Sequence, residues 1–230
     1  MASIFKIGLR GDELEEKLGG GIPKNSIGLI EGKNGFGKSI LSQRITYGAV
    51  ANKETITYIS TEMSVSGFMN QMDSLKYEIK EAFMKKRLKF VSLFPSIGGF
   101  EYKDNLIEDL MKAKELFESD IIILDTLGEF VIRNGLTQKD CFKLLTFFNK
   151  IASQGKTVIF TADPDNIDEN LIKILRMNSS IYILMDQKEQ YGVKLNVMKV
   201  IRYTGAQSDV DKEMPFKVRA GIGIVIELAS

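Results

Sequence analysis

The sequence predicts an α/β fold: a three-layer α/β/α sandwich with a mostly parallel central sheet and antiparallel strands at its C-terminal end. Three observations carry this. Up to residue 180, short apolar runs alternate with helix-length segments, the rhythm of strand–helix units around a parallel sheet. Ile121-Ile-Ile-Leu124 is purely apolar, as a strand buried on both faces must be. Beyond Ser180 the pattern turns to alternating segments, which read as antiparallel ribbons closing the sheet.

The elements follow in order. Ser26–Glu31 reads as a strand, followed by a Gly-rich loop and a helix over Ser39–Val50. The β-branched run Thr55–Ile59 is the next strand, and Ser64–Leu75 and Glu78–Lys86 are helical. Leu88–Leu93 is a third strand. Leu106, Leu110, Ala113 and Phe117 recur at helical spacing. Asp120–Leu124 is a central strand, and Thr137–Ser153 is a helix that Asp140 helps begin. Thr157–Thr161 is another buried strand and Asn170–Met177 a short helix. Ile181–Met185, Val193–Tyr203, Phe216–Val218 and Ile222–Leu228 form the closing ribbons. With no Pro/Gly/Ser linker, repeat or low-complexity stretch, residues 1–230 read as one domain.

Residues 32–39, Gly-Lys-Asn-Gly-Phe-Gly-Lys-Ser, match the phosphate-binding pattern G-x-x-x-x-G-K-[S/T] between a strand and a helix. In that context Gly32, Asn34, Gly35, Phe36, Gly37 and Ile40 are candidate nucleotide-binding residues, with backbone N–H groups of the loop and helix start wrapped around a phosphate. Lys38 would reach the β- and γ-phosphates, and the Ser39 hydroxyl would take a place on Mg²⁺. Asp125 ends a strand, where buried strands meet a ligand crevice, and would hold the Mg²⁺ through water. Capping a turn before Thr126 is the plain structural alternative for it.

Composition narrows the chemistry. Lys and Arg (31) nearly cancel Asp and Glu (30), so no global basic surface points to nucleic acid or an anionic membrane. Cys141 is the one cysteine, which excludes an intramolecular disulfide and any multi-cysteine metal site. There is no histidine, so Ser-His and Cys-His catalysis are excluded and a carboxylate is the natural general base. Glu62, after the strand Tyr58-Ile-Ser-Thr, is the candidate; capping the helix near Ser64 is its structural alternative. Thr161, at the end of Val158-Ile-Phe-Thr, is a candidate γ-phosphate sensor. The first ten residues have no apolar targeting run, and no apolar run approaches the ~20 residues of a membrane helix, so an intracellular protein is expected.

Gly11-Asp-Glu-Leu14, then Leu18-Gly-Gly-Gly-Ile-Pro23, then the strand and phosphate loop resemble the RecA-type KaiC-like ATPases, with one spacer residue missing from the first element. Lys199-Val-Ile-Arg202-Tyr-Thr-Gly205 and Phe216 to Ile222 are similar to that family's closing strands, so the likeness spans nearly the whole chain. Within the family, the length and the form of the loop are most similar to the ATP-binding proteins of the archaeal flagellum (archaellum) motor. The resemblance implies a RecA-like fold, ATP and Mg²⁺ as cofactors, and a homo-hexameric ring with ATP at the subunit boundary. It also implies a cytoplasmic place beside the membrane-embedded motor, with the motor's secretion-type ATPase and a ring-forming scaffold as partners.

Two departures weaken the expectation of hydrolysis. The family's hydrolases carry paired glutamates after the second strand, whereas this chain has Glu62-Met63. Their Lys-x-Arg-Gly segment, which reaches a neighbour's γ-phosphate, is here Arg202-Tyr-Thr204-Gly205. A missing cation of this kind is worth about 10³–10⁵ in rate. The expectation is ATP·Mg²⁺ binding with slow turnover. A KaiC-like autokinase stays open as an alternative. A DNA-binding recombinase is disfavoured, because the loop Asp163-Pro-Asp-Asn-Ile-Asp-Glu169 carries four acids and no base. Val91–Phe100 is read either as a contact surface or as packing on its own domain.

Overall fold

The computed structural model describes residues 3–93, 106–133, 135, 137–190 and 192–227. An N-terminal arm contains β1 (Ile4–Phe5), α1 (Leu14–Lys17) and β2 (Ile22–Pro23), with β1 and β2 paired antiparallel. The strands of the main sheet are β3 (Ser26–Glu31), β4 (Ile56–Ser60), β5 (Leu88–Ser92), β6 (Ile121–Asp125), β7 (Thr157–Ala162), β8 (Ile181–Gln190), β9 (Val193–Tyr203), β10 (Glu213–Arg219) and β11 (Gly223–Ile226). Between them run α2 (Lys38–Ala51), α3 (Val65–Ser74), α4 (Lys80–Met84), α5 (Leu106–Lys112), α6 (Leu127–Arg133), α7 (Gln138–Ala152) and α8 (Glu169–Asn178).

The nine strands lie in the order β11-β10-β9-β8-β3-β7-β6-β4-β5. Pairing is parallel from β5 to β8 and antiparallel from β8 to β11. The chain leaves β3 past two strands to reach β4, and later crosses from β7 over β3 to β8. Strand order therefore reverses around β3, and the crevice at its C-terminal end is the expected ligand position.

Strand alternation divides the core in two. Ile121 and Ile123 face α2, α3 and the N-terminal arm, while Ile122 and Leu124 face α6, α7 and α8. The parallel sheet is thus covered on both sides, which is why β3, β4, β6 and β7 are buried at every position. The expected Leu106–Phe117 helix is α5 followed by a separate 3₁₀ turn at Lys114–Phe117. Glu78–Lys86 contracts to the five residues of α4. Thr137 caps α7 in a capping box with Asp140, an arrangement worth about 1 kcal/mol. Of the Val91–Phe100 segment, residues 94–100 lie outside the described residues. Among the described residues, no helix is long and apolar enough to cross a membrane.

Candidate functional site

The loop at residues 32–37 joins β3 to α2, as its spacing requires. Gly37 sits at φ +95°, a left-handed backbone that L side chains avoid, and immediately precedes the first turn of α2. A Cβ on Gly32 would come within 2.6 Å of the Met185 carbonyl oxygen, so only glycine lets the loop leave β3 beside β8. Asn34 and Gly35 are exposed at the tip, whereas Phe36 and Ile40 are half-buried and pack on the core.

Lys38 folds back over the loop, its Nζ donating to the Lys33 carbonyl at 3.0 Å. Burial pushes its ammonium below the usual lysine range, while Asp163, Glu62 and Asp125 pull it back up. The acidic stretch after β7 therefore faces this loop. Lys33 Nζ pairs with Asp165 at 3.0 Å, with both side chains exposed, which holds the loop to the short 3₁₀ turn Pro164–Asn166.

Asp125 is completely buried at the end of β6. Its Oδ1 accepts from Ser39 Oγ at 3.2 Å and from Thr161 Oγ1 at 2.5 Å, and its Oδ2 accepts from Tyr58 Oη at 2.5 Å. Tyr58 Oη is also 2.8 Å from Ser42 Oγ. Burial first, and Asp125 next, push the Tyr58 phenol well above its ordinary value, so it keeps its proton and donates it. Among the described residues Asp125 has three hydroxyl donors but no ion-pair partner. Buried charges are normally paired or bound to metal. A buried carboxylate beside a hydroxyl is also the oxygen donor set that suits a hard cation such as Mg²⁺.

Glu62 lies in the turn after β4, exposed, and accepts from Thr126 Oγ1 at 3.4 Å. Its neighbour Met63 is half-buried against the core and takes a 3.7 Å contact from Gln43 Nε2. The place of a second glutamate is thus a packing position. Ser64, not Glu62, caps α3, its Oγ accepting from the Gly67 amide at 3.1 Å.

Loop, Lys38, Ser39, Asp125, Thr161 and Glu62 therefore converge. Arg202 and Thr204 do not join them. Arg202 Nη1 donates to the Arg176 and Ser179 carbonyls at 2.8 and 2.6 Å, and the Thr204 amide donates to the Ser180 carbonyl at 2.9 Å. Both sit where β8 begins, at the end of the sheet opposite the loop. Sequence reasoning gave no role to Tyr58, Ser42, Lys33 or Asp163. For Tyr58 a signal existed: a phenol on a short buried strand, facing the same side as Ser60, which pairs in register with Asp125.

The family model described as "ATPase: KaiC" matches residues 6–229. The archaeal flagellar ATP-binding protein FlaH of Methanocaldococcus jannaschii is 32% identical over 227 residues, covering 99% of this chain and 97% of that protein. The chain belongs to the KaiC family of ATPases, among its FlaH proteins. FlaH of Methanococcus voltae is 34% identical over 225 residues, covering 98% of this chain and 97% of its own. The crystal structure of the flagellar accessory protein FlaH from M. jannaschii matches with a TM-score of 0.90 at 30% identity, covering 99% of this chain and all of that one (100%). A KaiC-like protein of Pyrococcus horikoshii shares the fold at a TM-score of 0.78 and 18% identity, covering 99% of this chain and 100% of its own. The fold is RecA-like, as the motif order implied.

Proposed function

We propose that this protein binds ATP with Mg²⁺ at the loop of residues 32–39 as a single domain on the cytoplasmic side of the archaellum motor. Occupancy of the site regulates its assembly with the motor's secretion-type ATPase and a ring-forming scaffold, and turnover is slow when the protein is alone. The names of the FlaH relatives support the archaellum setting. One observation carries the nucleotide reading: the buried Asp125 carboxylate, without an ion-pair partner among the described residues, is held by the hydroxyl of Ser39 beside the glycine loop.

The loop N–H groups and Lys38 would cradle the phosphates, Ser39 and Asp125 would hold the metal, and Thr161 would sense the γ-phosphate through the carboxylate they share. Mg²⁺, when bound, supplies positive charge to the β- and γ-phosphates. Slow turnover follows from one candidate base, Glu62, flanked by a methionine packed into the core. It follows too from Arg202, which the protomer holds against its own helix carbonyls, away from its own loop. A hexameric ring would be needed to bring Arg202 and Thr204 to a neighbour's nucleotide.

Steady-state ATP turnover, nucleotide affinity and pull-down of the two motor partners test this together. Turnover below ~1 s⁻¹, the low end for phosphoryl-transfer enzymes, is expected. Lys38→Ala abolishes binding and assembly, while Glu62→Gln keeps both. If Glu62→Gln blocks assembly with ATP still bound, turnover is the function and the proposal fails.

A further inference from the structure

We infer that Tyr58 is a positioning residue for the metal arm of this site, an inference that rests on the Mg²⁺–nucleotide reading above. Its phenol fixes which oxygen of Asp125 is offered to Ser39 and the metal. The two carboxylate oxygens stand in different surroundings. Oδ2 meets Tyr58 Oη at 2.5 Å, while Oδ1 meets the hydroxyls of Thr161 at 2.5 Å and Ser39 at 3.2 Å. A carboxylate only accepts, so the phenol must donate to Oδ2.

The donor is rigid. The Tyr58 ring is fully buried, with its centroid 4.9 Å from that of Phe68 and 5.8 Å from that of Phe90. It stands in β4, whose Ser60 is in register with Asp125, so the backbone of the sheet sets its reach. Ser42 Oγ, one turn into α2 from Ser39, lies 2.8 Å from the phenol oxygen and 2.9 Å from the Ser39 carbonyl. The Ser42 hydrogen is thus shared between the phenol and the helix turn that carries Ser39. Aspartate χ2 is a broad, roughly two-fold torsion that does not by itself choose an orientation. With the phenol in place, the long bond to Ser39 is the one left free to adjust when an ion arrives.

Tyr58→Phe removes the donor and leaves the aromatic packing. Affinity for a fluorescent ATP analogue is measured across a Mg²⁺ titration and in EDTA, with circular dichroism confirming the fold. The expected result is metal-free affinity within about twofold of wild type and a Mg²⁺ half-saturation raised at least about tenfold, the scale of one hydrogen bond to a charged group. In an Asp125→Asn background, which has no carboxylate to orient, the same change shifts the Mg²⁺ response less than about twofold further. Because that double variant leaves no buried carboxylate unpaired, it folds even where the single variant does not. An unchanged Mg²⁺ response, an equal loss with and without metal, or an undiminished effect in the Asp125→Asn background overturns the inference. If the wild type binds no nucleotide under either condition, the reading of the site itself fails.

Discussion

Replacing Asp12 by Ala tests how the helix that carries Lys38 and Ser39 is anchored. Arg44, on α2, is fully buried; its Nε donates to Asp12 Oδ2 at 2.7 Å and its Nη1 to the Ile7 carbonyl at 3.0 Å, while Nη2 has no partner among the described residues. Asp12 Oδ1 also accepts from the Leu14 amide at 2.7 Å, at the start of α1. Asp12→Ala therefore strands a buried guanidinium and removes a helix-start acceptor. Breaking a buried ion pair from one side costs about 3–5 kcal/mol. The Asp12 side chain is 19% exposed, which points to the lower end of that range. The lost acceptor adds about 1 kcal/mol.

The sum, about 4 kcal/mol, is a large part of the ~5–15 kcal/mol that holds a domain folded. It lowers Tm by roughly 8–16 °C for a chain of this size. The assay is urea unfolding followed by circular dichroism, run as a double-mutant cycle with Arg44→Met. Arg44→Met leaves a partly exposed carboxylate that water can solvate, so the double variant is far less harmed than the sum of the singles. A coupling of at least ~2 kcal/mol is expected; below ~0.5 kcal/mol the clamp is not an energetic one and the reasoning is refuted.

Three further outcomes follow. Arg176→Ala leaves the buried Glu31 carboxylate with the Tyr182 hydroxyl, 2.9 Å away, as its remaining side-chain partner among the described residues; with the Arg176 side chain 39% exposed, denaturant titration should show a loss of about 1–2 kcal/mol, and no change would mean that the pair does not stabilise the fold. Lys38 sits below its usual value in the free protein, and a bound phosphate raises it; binding then takes up a proton between those two values, and calorimetry at alkaline pH should show affinity falling as pH rises through that window, where flat affinity would contradict the placement of Lys38. Burial pushes the Cys141 thiol up to about 11, so iodoacetamide at pH 8 should label it only as fast as α7 opens, and more slowly with ATP; labelling at the rate of a free thiol would contradict its packing.

What the sequence made legible was local. The loop of residues 32–39 and the strand before it are encoded within a dozen residues, so Ser26–Glu31 was placed with its observed boundaries. The buried strands announced themselves through apolar runs. The far half of β8, Asp186–Gln190, was missed because it forms an extended polar ribbon with β9 and shows no apolar alternation. Helix α6 was hidden because it starts two residues after the Asp125 strand end, where a turn is the simpler reading, and contains Gly128. The partners of Asp125, Glu31 and Arg44 lie between 32 and 151 residues away in the chain, and only the tertiary fold brings them together. The motif at Gly11–Leu14 signalled kinship without disclosing its physical task, which is to hold α2.

In the proposed function the loop grips ATP and turns it over slowly. Native mass spectrometry of the freshly purified protein, with Lys38→Ala alongside, tests it most directly. Retained ATP in the wild type and none in the variant is the predicted result. Retained ADP would mean a working hydrolase, and an empty wild-type site would contradict the account.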